Sequence, residues 1–162
     1  MNTETVPDRP ASPYVIDGIP GLLERAGSPL GTSRWVTVDQ EMVTAFAEVS
    51  SDRQWIHIDP ERAGQSPYGT TIVHGFFTLS LSTHLLDDIF SVKGVAMTLN
   101  YGLNRVRFPS PVRANSLVRA RFRLQTVRKT ADATEAVFSV LVEEQGVTKP
   151  CCAAEWIVRY FQ

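Results

Sequence analysis

Asp52 and His57 stand five positions apart in SSDRQWIHIDPERA, residues 50–63, with the apolar pair Trp55-Ile56 between them. A carboxylate and an imidazole that share one water can divide a proton transfer, one accepting while the other donates. Apolar neighbours raise a carboxylate pKa and lower that of a histidine, which moves both toward neutrality. The same residue types also serve plainer ends, Asp as a turn cap and His as a partly buried loop residue. His57 and Asp59 form a His-x-Asp pair that could supply two metal ligands. Nothing nearby in the sequence offers a third and fourth, so no metal is expected.

His74-Gly75 is the second candidate. It opens a long apolar run, and the first N–H groups of a helix lack intrahelical partners and favour negative charge. Gly75 has no Cβ, so an oxygen can approach its N–H closely, as a developing oxyanion or enolate requires. Tight helix packing accounts for the glycine equally well. Arg105 and Arg107, in NRVRFPSPV, place cations beside Phe108 and Pro109 and could serve a phosphate or an adenine face. An edge strand with surface charges reads the same way.

These groups need elements to hold them. TVDQEMVTAFAEVSSD carries capping-box spacing at Thr37 and Gln40, and Met42, Val43, Phe46 and Val49 mark one helical face. That helix stops at Ser50-Ser51, just before Asp52. TTIVHGFFTLSLSTHLLDDIF is apolar on nearly every side of a helical wheel, which predicts a buried central helix. Past Gly94 the period changes to alternation. VAMTLNYG, NRVRF, SLVRARFRLQTV, TEAVFSVLVEE and CAAEWIVRYF read as strands, with turn signals at Lys129–Asp132 and Gln145-Gly146. Arg119, Arg121 and Arg123 fall on a solvated strand face, and His84 reads as a helix-end or interface residue. One long helix against successive strands predicts an α+β fold with an antiparallel sheet. Residues 1–30 read as a tail and an irregular or only locally helical lead-in, and 31–162 as one domain.

The chain has 162 residues, enough for a single core, with 16 Lys plus Arg against 17 Asp plus Glu. That balance gives no reason to expect nucleic acid or a charged membrane as partner. No segment approaches the ~20 apolar residues of a membrane span. Cys151 and Cys152 are sequence neighbours, which a disulfide could not usefully join, so reduced thiols and a cytoplasmic setting are expected. No GxSxG elbow and no Gly-rich phosphate loop is present.

FAEVSSDRQWIHIDPERA, YGTTIVHGFFTLSL and LNYGLNRVRFPSPV, in that order, resemble the MaoC-like dehydratases, also called (R)-specific enoyl-CoA hydratases. The likeness runs from about Gly31 to the C-terminus. It implies a hot-dog fold, an antiparallel sheet wrapped around one long helix, paired as a homodimer. It also implies metal-free, cofactor-free reversible hydration of a trans-2-enoyl thioester to an (R)-3-hydroxyacyl thioester, with coenzyme A or acyl carrier protein as the carrier. Asp52 and His57 would hold the water and move its protons, with His57 favoured as base, and the Gly75 N–H would bind the thioester oxygen. Gln54, Trp55, His74, Arg105 and Arg107 are assigned to substrate binding. Many members have Asn-Pro where this chain has Gln54-Trp55, which leaves the reaction class intact and the acyl specificity open. A thioesterase on the same fold and a non-catalytic acyl-thioester-binding protein are the competing readings.

Overall fold

A computed structural model describes residues 13–162; the tail expected over the first dozen residues lies outside them. The main sheet joins β2 (Pro29–Thr32), β3 (Val36–Val38), β5 (Met97–Arg107), β6 (Ser116–Lys129), β7 (Thr134–Glu144) and β8 (Cys152–Phe161). Its order is β2-β6-β7-β8-β5, with β3 also on β6, and every pairing is antiparallel. Alternation explains the faces. Val118, Ala120, Phe122 and Leu124 of β6 are fully buried, as are Ala136, Phe138, Val140 and Val142 of β7. Between them Arg119 and Arg121 point outward and both pair with Glu143, so the expected solvated face is an ion-paired ladder.

Across the concave side lies α5 (Gly75–Asp87), against β6, β7 and β8. Leu81, Leu85 and Leu86 face the sheet, and Phe138 sits between Phe90 and Trp156. This is the expected α+β arrangement, one helix wrapped by an antiparallel sheet. The helix is less enclosed than its composition suggests. Phe76, Ser80, Thr83, His84 and Asp87 are exposed, and Ile72, Val73, Ile89 and Phe90 lie outside it. His84, expected at a helix end, lies in the last turn of α5 and meets the Arg34 guanidinium at 3.2 Å.

Three local readings need correction. Helix α2 (Gln40–Ser50) is capped not by Thr37 but by Asp39, whose carboxylate accepts from Met42 N–H at 2.9 Å. Thr37 is held in β3. The inward face of α2 is Val43 and Ala47, while Val49 is 87% exposed. Within the lead-in, β1 (Tyr14–Asp17) pairs in parallel with β4 (Phe90–Lys93), and α1 (Gly18–Glu24) follows. Ile16, Ile19 and Leu22 from this segment join the core, because three well-spaced large apolar side chains outweigh the surrounding Pro and Gly. Cys151 and Cys152 are both free and buried, and burial pushes Cys152 up to about 11.

Candidate active site

Helix α2 delivers the chain to the site through one left-handed residue, Ser51, at φ 61. That turn sends Asp52 sharply away from the helix axis. Asp52, Arg53 and Gln54 follow as exposed loop, then a single helical turn, α3 (Trp55–Ile58), carries His57 inward. Asp59 ends that turn and caps the next helix, α4 (Pro60–Gly64), accepting from Arg62 N–H at 3.0 Å. That capping bond is the structural role the Asp59 carboxylate takes here.

His57 is 6% exposed and its Nδ1 lies 2.7 Å from the Ile72 carbonyl oxygen. A carbonyl only accepts, so Nδ1 carries the hydrogen and Nε2 keeps a free lone pair. Burial pushes the imidazole below the ordinary histidine range. The Ile72 bond and the Asp52 charge oppose that shift, and His74 reinforces it. His57 is therefore a neutral base at neutral pH.

Segment 71–73 runs extended between α3 and residues 112–114. Ile72 N–H donates to Ile56 O at 2.9 Å, Val73 N–H to Val112 O at 2.8 Å, and Ala114 N–H to Thr71 O at 2.9 Å. Gln40, at the start of α2, locks this layer to the base. Its Nε2 donates to the His57 carbonyl at 2.8 Å and its Oε1 accepts from the Thr71 hydroxyl. The sequence marked Gln40 only as a capping residue. Its reach across 31 positions to Thr71 left no local signal.

His74 is 2% exposed and stacks on His57, with ring centroids 3.7 Å apart and planes 22° from parallel. Its Nε2 donates to the Asp52 carbonyl at 2.9 Å. Carboxylate and imidazole donor atoms of Asp52, His57 and His74 lie within 4.8 Å of one another. Lone pairs lie in the ring plane, so two nearly parallel rings aim theirs side by side. With one nitrogen of each ring on a carbonyl, the other nitrogen of each keeps its lone pair beside the Asp52 carboxylate. That set can handle protons and is also close enough together to hold a metal ion, with a third ligand the sequence spacing did not offer.

Gly75 begins α5. The first intrahelical bond is Thr78 N–H to His74 O at 3.0 Å, so the N–H groups of Gly75, Phe76 and Phe77 precede the ladder, and His74 provides no side-chain cap. A Cβ on Gly75 would stand 2.9 Å from Phe108 Cδ2. A side chain here would have to displace that ring, so glycine fits the ring as it stands as well as suiting a ligand oxygen. A cleft of about 290 Å³ opens between these parts, bordered by His57, Tyr68, Ile72, Gly75, Phe108 and Cys151, among others. Its apolar wall is Ile72, Val73, Phe108, Pro111 and Val112.

His57 and Gly75 therefore border one cleft, and the exposed Asp52 carboxylate lies beside His57 without lining that cleft. His74 joins them from behind, while Gln54, Trp55, Arg105 and Arg107 stand apart. Trp55 lies beneath the Arg62 guanidinium, 4.4 Å from the ring centroid. Gln54 is exposed at the start of α3 and makes no side-chain cap. His74 is behind His57 and does not border the cleft. Arg105 and Arg107 edge a separate hollow of about 240 Å³ with Gln125, Leu141 and Glu155. Tyr68, Ser110 and Cys151 border the cleft without any sequence motif to announce them.

Residues 22–146 match the model of the MaoC like domain. The chain belongs to the MaoC-like family. Within it, the chain is 49% identical over 145 residues to 3-hydroxyacyl-thioester dehydratase Z of Mycobacterium tuberculosis, covering 89% of this chain and 96% of that protein. It is 43% identical over 136 residues to nodulation protein N of Rhizobium leguminosarum bv. viciae, covering 82% and 84%. The crystallised (R)-hydratase of A. caviae involved in PHA biosynthesis superposes with a TM-score of 0.66 at 26% identity, over 78% of this chain and 92% of that one. The MaoC-like fold thus presents the cleft where the central helix begins.

Proposed function

We propose that this protein catalyses reversible hydration of trans-2-enoyl thioesters to (R)-3-hydroxyacyl thioesters, as a hydro-lyase of fatty-acid metabolism. The observation that carries the reading is one apolar cleft holding a neutral imidazole with a free Nε2 and an unpaired helix-start N–H, next to a carboxylate. Likeness to a 3-hydroxyacyl-thioester dehydratase supports it.

The chemistry follows from placement. Water is a poor nucleophile toward C3 of an enoyl thioester, so His57 Nε2 accepts its proton as the C3–O bond forms. Negative charge moves onto the thioester oxygen, where the Gly75 N–H meets it at the positive end of α5. One such donor is worth roughly 3 kcal/mol, about two orders of magnitude in rate. Asp52 orients the water and the pair returns a proton to C2 from the same side, giving syn addition. The apolar wall excludes competing water and strengthens each electrostatic contact.

The same reading includes a homodimer. β5 is an edge strand of 11 residues, with Met97, Leu99, Tyr101 and Leu103 all exposed. An edge that long and apolar is stable in water only when covered, and a second β5 matches it in length and character. Coenzyme A or a carrier protein would present the thioester through the same pantetheine arm.

The test mixes purified protein with crotonyl-CoA and longer trans-2-enoyl-CoAs, follows loss of the conjugated absorbance, and resolves product stereochemistry. Rapid (R)-3-hydroxy product, lost in folded Asp52→Asn and His57→Gln, is the expected result. Release of free coenzyme A in place of hydration identifies a thioesterase. Tight binding without turnover at any chain length overturns the catalytic reading.

A further inference from the structure

His74 is in an expensive position for a polar ring. It is buried, its Nδ1 has no hydrogen-bond partner among the described residues, and its neighbours are aromatic. Phe46 lies 5.0 Å away and stacks in turn on Phe77 at 5.0 Å, so Phe77, Phe46, His74 and His57 form a file of rings running from the helices to the cleft. If this place only needed filling, a phenyl ring would fill it without leaving a buried lone pair bare. What a phenyl ring lacks is the Nε2–H that reaches Asp52 O at 2.9 Å.

We propose that His74 is a positioning residue that fixes both halves of the proton-transfer pair, its ring face seating His57 and its Nε2–H holding the Asp52 main chain. The inference rests on the reading of Asp52 and His57 as that pair. His57 alone is held at one edge by the Ile72 carbonyl, a contact about which an imidazole can still tilt. The stacked ring removes that freedom. Asp52 sits on an exposed loop just past a left-handed residue, and the described residues give its main chain only two ties, to Ser50 Oγ at 3.3 Å and to His74. The weaker tie reaches back into α2. The stronger one reaches toward the base.

The ring also affects charge. A second imidazole face on His57 excludes water from that side and opposes added positive charge. The titratable groups that face His57 are Asp52 from the loop, His74 from the start of α5, and Tyr68 and Cys151 across the cleft. Of these only Asp52 favours the protonated form.

Two substitutions separate the two contacts. His74→Phe keeps the ring face and loses the donor. The expected result is a kcat lower by about tenfold, one hydrogen bond's worth, with KM within twofold. The acid limb of the pH profile should move less than in the glutamine variant, since only the charge of His74 and not its cover is lost. His74→Gln keeps an amide donor and loses the face. The acid limb should then move toward higher pH by about half a unit or more, as His57 regains water. A rise in KM at constant kcat in both variants would make His74 a substrate contact. Lower melting temperature with unchanged kcat, KM and limb would make it filler. Either result overturns the proposal.

Imidazole nitrogen NMR of the unsubstituted protein needs no variant to fold. It should show His57 as the Nδ1–H tautomer and His74 as Nε2–H. His57 should titrate below an ordinary histidine and carry ring-current shifts from the stack. The opposite His74 tautomer, or an ordinary His57 titration, overturns the proposal. If the protein hydrates no enoyl thioester at all, the proposed reaction fails, while these NMR readouts still decide the positioning.

Discussion

Replacing Gly75 with alanine adds one methyl at the point where packing and chemistry meet. That carbon would stand 2.9, 3.0 and 3.1 Å from three atoms of the Phe108 ring, about 0.4–1.1 Å inside a comfortable ~3.5–4.0 Å carbon contact. Backbone on the α5 side is fixed by the helix ladder, so the ring must give. Phe108 is 40% exposed and meets Phe76 only edge-on, at 6.0 Å, so it can swing outward. Alanine also recovers up to about 1 kcal/mol of helix propensity. Global stability should therefore change by less than about 1 kcal/mol, read as a melting temperature within a few degrees. Activity should not be spared. A displaced ring widens the cleft and the methyl crowds the N–H, so most of one oxyanion donor's contribution is lost, about 10²-fold in kcat. Stopped-flow hydration of crotonyl-CoA with parallel calorimetry measures both. Phe108→Leu in the Gly75→Ala background then divides the causes. Recovery assigns the loss to the ring, and no recovery assigns it to the donor. A folded Gly75→Ala protein with kcat within twofold of normal would refute the placement of developing charge at Gly75.

The lowered His57 pKa fixes the sign of two pH dependences. Activity should persist below about 6.5 and fall only as pH passes through the depressed folded value. The same group adds stability that is fully present above the unfolded value of about 6.5 and is lost as pH falls toward the folded one. Urea titrations across that range check it, and a flat midpoint there contradicts the assignment. Gln40→Ala removes the donor to the His57 carbonyl and the acceptor for Thr71. It should cost about 1–3 kcal/mol and lower kcat more than it raises KM, by denaturant melts and steady-state kinetics. Ser51→Gly should stabilise by up to about 1 kcal/mol, because φ 61 strains a residue with a Cβ. A destabilised Ser51→Gly protein would show that the serine side chain does more than tolerate the turn.

The sheet was legible because alternation survives in β6, β7 and β8, where one face is buried against α5 and the other carries Arg and Glu. The Asp52, His57 and Gly75 group was legible through its ordered motif, with Asp52 and His57 on one short loop. What escaped has a common physical cause, which is contact across distance. Gln40 reaches Thr71, Phe108 meets Gly75, and Cys151 borders the cleft from just before β8, none of which sequence spacing encodes. Trp55 escaped in the other direction. Its apolar bulk two positions before His57 suggests a substrate contact, yet a helical turn advances about 100° per residue, so the two side chains point nearly opposite ways and Trp55 packs beneath Arg62. The wall comes instead from Ile72 and Val112, two strands' worth of chain away. The parallel β1–β4 pairing was hidden for the same reason, since its partners lie 76 positions apart in the register Tyr14 to Phe90.

Ile72 does two jobs with two different parts of itself. Its carbonyl orients the His57 ring, and its side chain lines the cleft. A carbonyl is present whichever residue occupies the position. Exchange of isoleucine for valine, leucine or methionine there redraws the space offered to an acyl chain and leaves the hydrogen bond that orients His57 in place. Substrate preference and catalytic competence can therefore drift independently at this site, and a selection for new chain lengths has at position 72 a dial that does not touch the engine.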